Sequence, residues 1–244
     1  MYSFGAGILF GTNVAANSTP TNFGTLQEVS LDFSFSVKEL HGSYQFAVCV
    51  ARGLGKIAMK AKAATIRGDV FNNIFFGQTL AVGSQLVAYN EAGVVIASPL
   101  TITVVNSATW LADQGVMDAA TGLPLTKVAP GTPTTGQYCV TAGVYTFAVA
   151  DVGKNVLISY TYTASASGKK IVINNQLLGV TPFFAAAFTS IDPRTQKATT
   201  FTLNRCTASK FTFATKLEDF VIPEVDITVC ADDAGVIGTV STGE

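Results

Sequence analysis

Leu31-Asp32-Phe33-Ser34-Phe35-Ser36-Val37-Lys38 alternates apolar and polar residues without a break. A period of two puts the odd residues on one face of a strand and the even residues on the other, which is the pattern of a half-buried β-strand. Lys56-Ile57-Ala58-Met59-Lys60-Ala61-Lys62 repeats the alternation, and so does the run from Thr199 to Asn204. These stretches predict a mainly β protein. Only 13% of its 244 residues are charged, against about 25% in an ordinary soluble domain. Mean hydropathy is +0.40. A lone copy would leave much apolar surface in water. The composition therefore points to a β protein whose surface is completed by further copies of itself.

Formal net charge is -1 and the sequence pI is about 5.8. That balance supplies no clustered Lys and Arg for tight binding to nucleic acid or to an anionic membrane. Apolar runs such as Pro182 to Phe188 fall far short of the ~20 residues that span a bilayer. Tyr2 to Phe10 is interrupted by Gly5 and Gly7 and carries no Lys or Arg, so it lacks the basic start of a secretory signal. An intracellular product without membrane insertion is expected. Cys49, Cys139, Cys206 and Cys230 are far apart, with no C-x-x-C pair. They read as small buried hydrophobes rather than metal ligands, although their even number also permits pairing.

Residues 1–25 are rich in Gly, Asn and Thr, and Pro20 interrupts them. They read as an extended arm ordered only by a neighbour. Residues 26–244 read as a single β-rich domain. Its strands are expected at about 27–38, 44–51, 55–66, 84–90, 93–97, 99–105, 138–141, 143–149, 155–163, 169–174, 182–190, 198–205, 211–215 and 222–230. Asn90-Glu91-Ala92-Gly93 reads as a hairpin turn and Ser165 to Gly168 as a tight turn. Val70, Phe71, Ile74 and Phe75 are spaced for one short helix over 68–76, buried on a sheet and stopped by Gly77. The stretch 106–138 holds three prolines and is predicted to be a long irregular excursion.

Catalytic chemistry is not legible. His41, the single histidine, sits beside Gly42 and reads as a solvated side chain in a hairpin turn. No phosphate-binding loop or His-x-x-x-His pair occurs. Asp113 and Asp118 lack the dense acidic loop of a calcium cage and read as turn residues. Glu218-Asp219 and Asp232-Asp233 read as solvated acids. No catalytic residue, metal or cofactor is expected.

The polar rows remain. Asp32, Ser34, Ser36 and Lys38 share one strand face, and Lys56, Lys60 and Lys62 share another. A solvated sheet face explains both. A wet wall inside an assembly explains them too, with the lysines serving as inter-subunit ion-pair partners or as an edge that blocks unwanted pairing.

Several segments resemble the major tail tube proteins of long-tailed (siphovirus-type) bacteriophages. They are Leu9 to Asn13 with Phe23 to Ser30, Lys56 to Gly68 running into Phe71 to Gly77, and Gly136 to Val140 with Gly143 to Phe147 and Ile158 to Tyr162. Phe220 to Gly238 closes the series. The segments cover well over half the chain, and their order is the stronger signal. The resemblance implies a β-sandwich or half-barrel with one short flanking α-helix, extended arm and loops. It implies hexameric rings stacked into a tube, a virion tail assembled in the bacterial host cytoplasm, and other tail proteins at the tube ends. Viral DNA would pass through the lumen without specific binding. Asp32, Ser34 and Ser36 are the candidates for the lumen wall, with the Lys56–Lys62 face as competitor. Phe4, Leu9, Phe10, Lys56, Lys60, Lys62 and Trp110 are the candidates for contacts between subunits.

Two other readings stay open. One is a different virion component: a capsid decoration, tail-terminator or baseplate protein. The other is a carbohydrate-binding β-sandwich using Trp110 and Tyr138 near Asp113 and Asp118.

Overall fold

A computed structural model describes residues 5–14, 18–65, 67–78 and 80–243. In chain order the elements are β1 (Ile8–Asn13), β2 (Thr21–Asn22), β3 (Leu26–His41), β4 (Ala47–Ala63), α1 (Gly68–Phe75), β5 (Ala81–Val94), β6 (Thr101–Thr103) and β7 (Trp110–Asp118). They continue as β8 (Thr126–Lys127), β9 (Gln137–Thr141), β10 (Val144–Phe147), β11 (Asn155–Lys170), β12 (Phe184–Ile191), β13 (Ala198–Thr212), β14 (Glu224–Cys230) and β15 (Gly238–Thr242). Among the described residues the protein is mainly β, as the alternations predict, with one α-helix. The expected single domain over 26–244 is replaced by two compact units. One takes the residues up to 80 and those from 171 onward, and the other is Ala81–Lys170.

The first unit is built on one sheet of order β2-β1-β12-β13-β14-β4-β3, with β15 also paired to β13. The expectation of an arm held only by a neighbour is corrected here. β1 pairs antiparallel with β12 from Ile8↔Thr189 to Asn13↔Phe184. Its alternation puts Leu9 at 0% exposure, and Phe23 follows at 4%. Both join the unit's own core with Met59, Ile74, Phe184 and Ile227, so burying them repays the ordering of the segment. Gly11 is needed for closeness: a Cβ there would meet the Phe23 ring at 2.9 Å.

α1 packs on this core through Val70 and Ile74. Phe71 and Phe75 are only half-buried. Their rings lie against Phe211 at 4.8 and 5.8 Å between centroids. Asp69 in the first turn accepts from the Val70 N–H at 3.0 Å, a favourable place for an acid beside the positive end of a helix. The stop falls where Gly77 predicts it. Gly77 adopts φ 58° and donates to the Asn72 carbonyl at 2.7 Å, while the Asn72 side chain, 2% exposed, accepts from the Gln78 N–H at 3.1 Å.

The second unit has two sheets, β5-β11-β7 and β6-β10-β9-β8. Both feed one core that includes Val104, Val116, Tyr138, Tyr145, Phe147, Ile158 and Tyr160. Its ends are cross-strand neighbours, Ala81 facing Lys170, so the unit is an insertion between α1 and β12. Three local expectations are corrected. Asn90 to Gly93 is not a hairpin turn but part of the continuous strand β5, irregular at Asn90 with φ 56°. Ser165 to Gly168 lies within β11, as extra residues between Ala164 and Lys169. The excursion at 106–138 contains the nine-residue strand β7.

A buried carboxylate organises this second core. Asp113, with a side chain 3% exposed, is 3.0 Å from the Lys127 ammonium. It accepts from the Tyr138 hydroxyl at 2.8 Å, the Tyr145 hydroxyl at 3.0 Å and the Gly115 N–H at 3.1 Å. Burial would push its carboxyl upward, but these donors outweigh burial and hold it below the usual carboxylate range. Burial and the neighbouring carboxylate push both phenols well above their usual range. Cys139 and Cys206 are buried as expected, whereas Cys49 is exposed and Cys230 half-buried.

Candidate assembly surface

The register of the first unit brings the two polar rows onto one face. Glu28 pairs with Lys62, Ser30 with Lys60, Asp32 with Ala58 and Ser34 with Lys56. On the other flank of β4, Glu224 faces Lys62, Asp226 faces Lys60 and Thr228 faces Ala58. Cross-strand partners share a face. Asp32 and Ser34 are therefore not on a surface that competes with the lysine row; they belong to the same one. The sequence shows each alternation but not the phase between two strands, which the pairing register sets.

The lysines on this face are held by acids of their own chain. Lys60 lies 2.7 Å from Glu224 and 3.6 Å from Asp226, and Lys62 lies 2.5 Å from Glu28. The Glu224 carboxylate raises the Lys60 ammonium and is itself lowered by it, and Glu28 raises Lys62. Lys60 and Lys62, expected to pair between subunits, are thus already paired within the chain. Lys56 has no ion pair among the described residues, and its carbonyl accepts from the Ser34 hydroxyl at 3.3 Å. Ser36 lies beside a register shift between Phe35 and Val37. A Cβ at Gly53 would come within 2.5 Å of its hydroxyl.

β3 and β4 outgrow the sheet. β14 accompanies β4 only over Ile57–Lys62, so residues from about 34 to 56 form a two-stranded ribbon exposed on both faces. The alternation at 31–38 thus has a different meaning from the one expected. Leu31 packs against the core, but Phe33, Phe35 and Val37 continue its row outside, at 50%, 47% and 58% exposure. The Arg52 guanidinium sits 4.2 Å from the Phe35 ring centroid. Tyr44, Phe46, Val48, Val50 and Leu54 are more exposed still. Two irregular segments of the same unit add apolar surface through Leu177 and Leu178 and through Leu217 and Phe220. A two-stranded ribbon is marginal in water by itself, and large exposed apolar patches mark contact surfaces.

Of the remaining inter-subunit candidates, Phe4 lies outside the described residues. Leu9 is withdrawn from the role because it is buried, while Phe10 on the opposite face is 41% exposed. Trp110 is half-buried against the second unit's core. Tyr138 is 2% exposed and hydrogen-bonded to Asp113, which removes it as a sugar-stacking ring. Among the described residues no group of three or more His, Cys, Asp or Glu is placed to hold a metal ion. No described helix is long and apolar enough to cross a membrane. No family model matches the chain, and no curated protein matches its sequence.

Proposed function

We propose that the chain is a self-assembling structural protein, and that its assembly is a stacked-ring tube of the bacteriophage tail type, a conduit for DNA. The observation that carries this reading is the β3–β4 ribbon, apolar and exposed beyond the reach of its own sheet. Burying it requires a further surface, and the low charge fraction makes other copies of the chain the natural source. The polar face bearing Asp32, Ser34, Lys56, Lys60 and Lys62 is the candidate lumen wall. Its lysines at 60 and 62 are neutralised in place, so they offer little to phosphates, whose tight binding depends on displacing counterions with unpaired cations.

Negative-stain electron microscopy of the purified protein is expected to show tubes. The double substitution Phe33→Lys/Phe35→Lys is expected to abolish them while leaving the β circular dichroism intact, because both rings are about half exposed in the isolated chain. A parent protein that sediments as a monomer at high micromolar concentration would overturn the reading. Single rings that never stack would move it to another virion component, such as a tail terminator or capsid decoration.

The lumen assignment has its own test. Tubes carrying Asp32→Lys/Ser34→Lys are expected to retain duplex DNA in filter binding at low salt and to release it as salt rises. Equal retention by parent and variant tubes at every salt concentration would place this face elsewhere.

A further inference from the structure

Ser159, on the central strand of the three-stranded sheet in the second unit, has a bulge on each side. Ile158 faces Glu91 and Tyr160 faces Ala88, so Tyr89 and Asn90 together oppose Ser159 on one flank. On the other, Ser159 faces Gly115 and Tyr160 faces Asp113, which leaves Gln114 as the extra residue. Asn90 at φ 56° and Gly115 at φ 111° take the left-handed conformations this requires, and Asn is among the few residues besides Gly that accept them readily. Bulges re-aim side chains and bend the strand that carries them. Beside this pair of bulges lies an open groove of about 420 Å³ whose polar lining is Tyr89, Asn90, Gln114 and Ser159, set among apolar residues that include Val87 and Leu125. That volume falls within the ~300–1,000 Å³ of ligand clefts.

The lining specifies a chemistry. None of the residues around the groove carries a charge, so nothing there matches a phosphate, a nucleic acid or an acidic peptide. The Asn90 N–H donates to the Ser159 hydroxyl at 3.1 Å, and that hydroxyl is 3.4 Å from Asn90 Oδ1. This fixes Asn90 and leaves its NH2 group without a partner among the described residues. The Gln114 amide and the Tyr89 hydroxyl likewise have none. Each amide offers a donor and an acceptor together, and Tyr89 is 76% exposed. A wholly apolar occupant would bury those amides unpaired. A sugar ring satisfies both demands, with its C–H face on the aromatic ring and its hydroxyls on the amides.

We infer that this groove is a binding site for a neutral oligosaccharide, a function separate from assembly. The sequence offered Trp110 and Tyr138 for such a site; the bulges instead place Tyr89, Asn90 and Gln114 together. The test uses the full chain on an array of neutral glucan, mannan and N-acetylglucosamine oligosaccharides. Retention of at least one of these is expected. Tyr89→Ala is expected to weaken it about tenfold, a loss comparable to that of one aromatic contact, and Gln114→Ala about fivefold, as for one uncompensated hydrogen bond. Tyr89→Phe keeps the ring and should restore most of the binding. Val149→Ala, exposed elsewhere on the same unit, should change nothing. Thermal melts followed by Trp110 fluorescence confirm that each variant is folded. The inference is overturned if no array member binds, or if binding survives Tyr89→Ala and Gln114→Ala together.

Discussion

Deleting the residues before Leu26 is expected to unfold the first unit rather than leave a folded protein that merely fails to assemble. The deletion removes β1, β2, the fully buried Leu9 and the buried Phe23 ring, both part of that core. It also exposes the edge of β12 from Phe184 to Thr189, which β1 now covers, and an uncovered edge invites aggregation. The milder substitution Leu9→Ala keeps the strand and is expected to cost about 2–5 kcal/mol, the range for a fully buried leucine. The two units allow the effect to be localised. Trp110 is the single tryptophan and packs on the core of the second unit, so its fluorescence follows that unit, whereas circular dichroism follows both. In urea, Leu9→Ala should shift the dichroism transition to lower denaturant while the Trp110 transition stays in place. A truncated chain that keeps its β dichroism and melting would show that β1 is dispensable.

The different fates of these segments show what the sequence made legible. Strand type was readable wherever the alternation was long. The short helix and its stop at Gly77 were readable from spacing and from the residue that tolerates a left-handed backbone. Burial was not readable. The row Leu31, Phe33, Phe35, Val37 has the same pattern inside the core and outside it, because alternation reports that two faces differ and not what covers either of them. The arm was misread for a related reason. Gly11 looks like a flexible residue, yet it is small because the Phe23 ring packs over it. β7 was missed because Asp113, Gln114 and Gly115 break its alternation at a bulge, and Asn90 imitates a turn for the same reason. The division into two units was hidden because both have the same strand-rich composition. What separates them is the pairing of Ala81 with Lys170, a long-range contact that no local pattern encodes. The assembly face was half legible: its residues were found, but only the register of β3 on β4 joins them.

Replacing Asp113 by Asn is expected to cost the second unit about 3–5 kcal/mol, the scale of breaking a buried, fully satisfied network. The carboxylate has only acceptors, and four donors converge on it from Tyr138, Tyr145, Gly115 and Lys127. An amide of the same shape turns one of those acceptors into a donor and sets it against a phenol or an ammonium. Tyr138 and Tyr145, at 2% and 0% exposure, cannot turn to water for compensation. The pH dependence follows from the same geometry. The folded carboxyl is held below its usual value, so protons bind more tightly to the unfolded chain, whose aspartates titrate near about 3.9. The stabilisation is therefore complete at neutral pH and is lost as pH falls from about 4 through the lower folded value. The variant has no such group. Urea transitions followed by Trp110 fluorescence should show a wide gap between parent and Asp113→Asn at pH 7 and a narrower one at pH 3. Lys127 contributes less than the phenols, since its side chain is 53% exposed and ion pairs open to solvent are weak. Lys127→Ala should thus lower the midpoint only slightly. A gap that stays the same from pH 7 to pH 3, or an Asp113→Asn protein as stable as its parent at pH 7, would mean that the tyrosines hold this core without the charge.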